Sequence, residues 1–146
     1  MEKKKLEQMN SIRELDILLV DDEPFVLSLA SKVLEQLGQS KVELAKGGDD
    51  ALVKLITRDK PYDLIITDLN MPDLDGVELL RLAHDSGFKG GVILLSGEDQ
   101  RMLDTAYGLA KAHNVNVLGA LSKPLNKIEL SNLLDAYTPQ NISPSL

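Results

Sequence analysis

The stretch Leu64-Ile65-Ile66-Thr67-Asp68-Leu69-Asn70-Met71-Pro72-Asp73-Leu74-Asp75-Gly76 decides the fold. Its first four residues read as a buried strand, and Asp68 stands where that strand stops, a place that suits a carboxylate nucleophile. The run Ile17-Leu18-Leu19-Val20 ends the same way, in Asp21-Asp22-Glu23, and Val92-Ile93-Leu94-Leu95 ends in Ser96-Gly97. Three strand ends therefore carry polar, reactive side chains.

Outward from this stretch, short apolar runs recur at 17–20, 42–45, 64–67, 92–95 and 115–121, with helical patterns between them. Continuous rather than alternating hydrophobicity indicates strands covered on both faces, as in a parallel sheet between helices. The chain thus reads as α/β.

Pro24 suits an early position of the first helix, whose Val26, Ala30, Val33, Leu34 and Leu37 recur at helical spacing before Gly38 closes it. The second helix is expected from about Asp49 to Thr57, with Gly48 or Asp49 near its cap and Leu52, Leu55 and Ile56 inward. Asp75 caps the third, whose inner face is Val77, Leu79, Leu80 and Ala83. A fourth covers about 99–113. Asn126-x-x-Glu129 has the spacing of a capping pair and opens a fifth that buries Ile128, Leu130, Leu133 and Leu134.

At 146 residues the chain fits one domain. We divide it into an N-terminal arm (1–13), a domain (14–137) and a Pro-containing tail or linker (138–146). Aromatics make up only 3%, so aliphatic side chains must fill the core. Net charge is −7, with 23 acids against 16 bases, which lacks the basic footprint that phosphate backbones demand. We therefore expect no nucleic-acid binding by this segment. Met1-Glu2-Lys3-Lys4-Lys5 is basic, but Glu7, Gln8, Asn10 and Arg13 interrupt what an export signal needs as an apolar region. With no run near the roughly 20 apolar residues of a membrane span, the expectation is a cytoplasmic location.

In open parallel sheets, functional side chains gather at the carboxyl ends of strands, where strand order reverses. Asp21, Asp22 and Asp68 would converge there, and carboxylates at close range repel unless a cation offsets them. Oxygen-only ligands select a hard ion such as Mg2+, which also takes phosphate oxygens. Lys123, before Pro124 at the end of the fifth run, can bring an ammonium to the same cluster, and Ser96 adds a hydroxyl donor. These are parts for phosphoryl transfer to a carboxylate.

Val20-Asp21-Asp22-Glu23-Pro24, Thr67 to Gly76, Ser96-Gly97 and Ser122-Lys123-Pro124 together resemble bacterial two-component response-regulator receiver domains, over about residues 14 to 137. The resemblance implies a flavodoxin-like (βα)5 three-layer sandwich with parallel sheet order 2-1-3-4-5. It implies Asp68 as phosphoacceptor, Asp22 as a direct Mg2+ ligand, Asp21 as an ion ligand chiefly through water, and Asn70 as a ligand through its backbone carbonyl. Ser96 and Lys123 would bind the phosphoryl group, the Lys123-Pro124 peptide would be cis, and Asn70 and Glu98 would tune phosphoryl lifetime. The donor would be a histidine kinase or a histidine phosphotransfer protein. The protein would be a signalling module catalysing only its own aspartyl phosphorylation and dephosphorylation, with a homodimer through helix 4, strand 5 and helix 5 as a further expectation.

Two departures from the pattern matter. Ala120 stands where many receivers place Phe or Tyr, which argues against an aromatic-flip switch. Ser96 and Lys123 are also further apart than in compact receivers, with the excess around helix four. Val117-Leu118-Gly119-Ala120-Leu121-Ser122-Lys123-Pro124 resembles receivers that precede EAL-type cyclic-diguanylate phosphodiesterase domains.

Taken singly, Lys123 reads as a surface lysine, Ser96 as a helix cap and Asp21-Asp22 as solvated turn residues; only the ordered set reverses this. His84 and His113 read as surface residues without chemistry. Tyr107 reads equally as a contact residue or a filler. Competing readings are a Mg2+-dependent aspartate-nucleophile phosphatase, which usually has a second Asp where Asn70 stands, and a phosphorylation-independent docking module. A flavin site would need a phosphate-cradling loop where Asp21-Asp22-Glu23 would repel phosphate.

Overall fold

The computed structural model describes residues 14–96 and 100–137. The expected N-terminal arm, the tail 138–146, and Gly97, Glu98 and Asp99 lie outside the described residues. Among the described residues, five strands alternate with five helices: β1 (Ile17–Val20), α1 (Pro24–Gln36), β2 (Val42–Ala45), α2 (Gly48–Thr57), β3 (Leu64–Asp68), α3 (Gly76–Asp85), β4 (Gly91–Ser96), α4 (Gln100–Ala112), β5 (Asn116–Ser122) and α5 (Lys127–Ala136).

All strand pairs are parallel, in the order β2-β1-β3-β4-β5. In β1, β3 and β4 the apolar runs are covered on both faces, whereas the edge strand β2 leaves Glu43 and Leu44 exposed and β5 is only partly buried. Ile17, Leu19, Leu64, Ile66, Ile93 and Leu95 pack with Leu27, Ala30 and Leu34 of α1 and Leu130 of α5. Leu18, Val20, Ile65, Val92 and Leu94 pack with Ala51 of α2, Leu79, Leu80 and Ala83 of α3, and Ala106 of α4. The result is the flavodoxin-like three-layer sandwich that the strand pattern requires.

Two helix faces differ from their sequence reading. Ile56 was expected inward but is 60% exposed, because the buried side of α2 is Gly48 and Ala51, with Leu52 and Leu55 packed beside them; the inward stripe is set about one position earlier. Ile128 is 71% exposed, since α5 turns Leu130 into the core and position 128 falls on the opposite side. His84 and His113 are half-buried rather than open surface residues, their ring centroids 5.4 Å apart. Tyr107 is exposed.

β5 carries an irregularity. Val92 pairs with Val117 but Ile93 pairs with Gly119, so Leu118 is an extra residue. The bulge takes up one residue of the stretch between Ser96 and Lys123 and lets Leu118 pack toward α1 and α5 while Ala120 faces the α2–α4 side. A Cβ at Gly119 would lie 3.0 Å from Leu133, so the close approach of α5 suits glycine there.

Candidate functional site

The carboxyl ends of β1, β3, β4 and β5 face one rim of the sheet, and the order reverses between β1 and β3. Asp21 follows Val20 directly, while Asp68 is the last residue of β3; both are buried. Strand register sets Asp68 opposite Leu95, one residue before Ser96, and pairs Ser96 with Ser122, one residue before Lys123. The sheet thus brings all the marked strand ends to one rim.

The Lys123 ammonium lies 2.9 Å from Asp21 Oδ2, 3.1 Å from Asp68 Oδ2 and 3.3 Å from Glu23 Oε1. Burial alone would lower its pKa, but the contacts with the Asp21 and Asp68 carboxylates outweigh that and hold it above the ordinary lysine value. Asp21 is pushed the other way from a usual ion-paired carboxylate. Burial raises its pKa, the neighbouring Asp68 charge adds to this, and the Glu23 amide and Lys123 only partly offset it. The Lys123-Pro124 peptide is cis, as the resemblance implied.

Two backbone amides order the carboxylates: Glu23 N–H donates to Asp21 Oδ1 at 2.9 Å, and Asn70 N–H donates to Asp68 Oδ1 at 3.2 Å. Gly76 allows α3 to start against the end of β3, where a Cβ would meet Asp68 O at 2.5 Å and Leu69 Cα at 2.7 Å. Gly76 N–H in turn donates to Leu69 O. The loop that carries Asn70 is therefore held at both of its ends.

Asp21, Asp22, Glu23 and Asp68 each offer a carboxylate oxygen, all within 4.8 Å of one another. Every donor is oxygen, and among the described residues no hydrogen bond of good geometry reaches the buried Asp21 Oδ2, which faces the Lys123 ammonium at 2.9 Å. A hard divalent cation such as Mg2+ fits this set. Glu23 is the member that sequence reasoning left out of the ligand set. Its signal was its place directly after Asp21-Asp22, facing the same rim.

The response regulator receiver domain model matches residues 17–135. This chain belongs to that family. Receiver domains are signalling modules of two-component systems whose general activity is acceptance of a phosphoryl group on aspartate. Among relatives, the chain is 32% identical over 130 residues to the signal transduction histidine-protein kinase BarA of Escherichia coli, covering 86% of this chain and 13% of the kinase. It is 30% identical over 126 residues to the cyclic di-GMP phosphodiesterase RocR of Pseudomonas aeruginosa, covering 86% of this chain and 32% of RocR. The receiver therefore spans only a minor part of these longer proteins.

Solved structures agree with the fold. A response regulator receiver domain protein from Clostridium thermocellum superposes with a TM-score of 0.70 at 29% identity, over 82% of this receiver and 90% of that chain. The chemotaxis protein CheY4 of Vibrio cholerae gives 0.69 at 27% identity, over 84% and 98%. Among the described residues, no helix of this receiver is long and apolar enough to cross a membrane.

Proposed function

We propose that Asp68 is the phosphoacceptor of this receiver, and that its phosphorylation depends on Mg2+. The observation that carries the reading is the buried Asp68 carboxylate, held 3.1 Å from the Lys123 ammonium within a cluster of acidic oxygens. A carboxylate so placed is a nucleophile with a cation beside the position of the incoming phosphoryl oxygens.

In the forward step an Asp68 carboxylate oxygen attacks phosphorus in a phosphohistidine of a histidine kinase or histidine phosphotransfer protein. An O–P bond forms, the N–P bond breaks, and the imidazole leaves with the electron pair. Asp22, Asp68 and the Asn70 carbonyl would hold Mg2+, with Asp21 acting chiefly through water. When bound, the ion supplies charge neutralisation for the phosphoryl oxygens. Lys123 exchanges a carboxylate oxygen for a phosphoryl oxygen, and Ser96 donates its hydroxyl to another. Hydrolysis returns Asp68 to the free carboxylate, with Asn70 and Glu98 at positions that tune its rate.

The acyl phosphate then biases a two-state surface of α4, β5 and α5, and the output is a change in binding, including self-association through that surface. Ala120 leaves the shift to Ser96 rather than to an aromatic ring. Similarity to RocR supports an attached EAL-type cyclic-diguanylate phosphodiesterase as the regulated output in a longer cytoplasmic protein.

The test is intact mass after incubation with acetyl phosphate, in Mg2+ or in chelator, for the native chain and Asp68→Ala. One added phosphoryl group that needs both Mg2+ and Asp68 supports the reading. An adduct that persists in Asp68→Ala overturns it.

A further inference from the structure

Asp73 lies in the loop between β3 and α3, but its carboxylate works on a different element. Gly48 N–H donates to Asp73 Oδ1 at 3.3 Å and Asp49 N–H to Asp73 Oδ2 at 3.0 Å, while Leu74 N–H donates to Oδ1 at 2.8 Å. The first two are amides of the first turn of α2, whose own cap residue, Gly47, has no side chain to satisfy them. These backbone hydrogen bonds, that of Asp49 foremost, hold the Asp73 pKa below the ordinary carboxylate value. α2 is thus capped from another loop.

The approach is close enough to need glycine on the α2 side. A Cβ at Gly48 would lie 2.3 Å from Leu74 O and 2.5 Å from Leu74 Cβ, and one at Gly47 would lie 2.9 Å from Asp73 Oδ2. The same loop carries Asn70, whose N–H is bonded to Asp68 Oδ1, and it is pinned at its far end where Gly76 meets Asp68 and Leu69. Between these attachments only Leu69 and Met71 bury apolar side chains deeply.

We propose that Asp73 is a positioning residue for the acidic site: by tying residues 69–75 to the first turn of α2, it fixes where the Asn70 backbone stands relative to Asp68. The inference rests on the proposed cation site at Asp68 and Asn70. Asp73 touches neither the ion nor the phosphoryl group and acts only through the loop. A preformed loop binds a cation without first being ordered, so loss of the tether weakens binding even though every ligand remains.

The test titrates the whole chain with Mg2+ alone by calorimetry and follows amide hydrogen exchange across residues 69–75 without added ion. Asp73→Ala should weaken Mg2+ binding about tenfold, the low end for losing an outer partner of a metal site, and speed exchange in the loop. Asp73→Asn keeps an acceptor oxygen but no charge and should fall between native and alanine. Gly48→Ala, which forces the two elements apart with Asp73 intact, should reproduce the loss. Tyr137→Phe, a lesion at the opposite end of the sheet, should leave Mg2+ affinity within about twofold, as distant independent sites do.

Native Mg2+ affinity in Asp73→Ala overturns the proposal, whatever the exchange. So do equal losses in Asp73→Asn and Asp73→Ala with unchanged exchange, which would mark a charge effect, and so does a comparable loss in Tyr137→Phe. If the native chain itself binds no Mg2+, the cation site fails and exchange alone decides the tether: faster exchange in Asp73→Ala supports it and native exchange overturns it.

Discussion

Lys123 Nζ sits 3.1 Å from Asp68 Oδ2, so a cation carried by the loop after β5 neutralises a carboxylate at the end of β3. The same ammonium serves Asp21, whose carboxylate is fully buried and held above its usual pKa. One positive charge thus stands among four acidic residues. This imbalance makes the rim a place for a second cation and for a phosphoryl group that can recruit Lys123.

For Lys123→Ala we expect a loss of about 1–3 kcal/mol in chelator, below the about 3–5 kcal/mol of a fully buried broken pair. Asp21 can take up a proton, which limits the cost. Mg2+ should restore most of it, because the acidic ligands remain and their competitor is gone. Urea unfolding in chelator and in Mg2+ measures both values. Equal destabilisation in the two conditions would mean that Lys123 does not share the cation's ligands. Phosphorylation should still occur in this variant but should no longer change partner affinity.

Asp68→Ala should remove the adduct and keep the fold. It should also raise stability in chelator by about 1–2 kcal/mol, since unit charges at about 4 Å repel by about 1 kcal/mol in water and about 4 kcal/mol at an effective dielectric of 20. Thermal unfolding would show a Tm rise of about 2–4 °C per kcal/mol, shrinking as Mg2+ is added. A lower Tm in chelator would show Asp68 to be held more by packing and hydrogen bonds than by charge.

Much of this site was legible because its parts lie at the ends of unmistakable apolar runs. Strand ends need no long-range information once the runs are recognised, and parallel order then brings them to one rim. Asp75 and Asn126 were equally readable as helix caps, since each accepts the N–H of the residue three positions on, Glu78 and Glu129. Asp73 was not. Its partners are amides of Gly48 and Asp49, and no local pattern announces a cap supplied from another loop. The exposures of Ile56 and Ile128 were hidden for a related reason: periodicity finds an apolar stripe, but the packing of the whole helix sets its centre. The bulge at Leu118 escaped because a run of Val, Leu, Gly and Ala reads alike with or without one unpaired residue.

The end of the sheet opposite the acidic rim offers a pH test. Burial would raise the Asp16 pKa, but Arg58, at 2.8 Å, and Lys60, at 3.0 Å, outweigh it and hold the value below the ordinary 3.8. A depressed carboxylate adds stability above its unfolded pKa, and that addition is lost as pH falls through its folded pKa. Asp16→Asn should therefore be less stable than the native chain at neutral pH, with the gap narrowing as pH drops below about 4. Parallel denaturant melts from neutral to acid pH would read this out. A gap independent of pH would mean that packing, not charge, distinguishes the two.

Tyr137 closes the same end of the structure. Its hydroxyl accepts the Gly91 N–H at 3.0 Å, a buried contact, and donates to Asp63 O at 2.8 Å, joining the residue after α5 to the starts of β3 and β4. Tyr137→Phe leaves the ring in place against Gly91 but removes both hydroxyl hydrogen bonds; the Gly91 N–H keeps the Asp63 O at 3.0 Å as an acceptor, so the cost is about 0.5–1.5 kcal/mol per bond lost. We expect this loss in urea melts together with a native rate of adduct formation from acetyl phosphate, because Asp63 and Gly91 sit at the strand starts and Asp68 and Ser96 at the ends of the same strands. A slowed phosphorylation with no loss of stability would reverse the assignment and link the α5 terminus to the chemistry at the far rim.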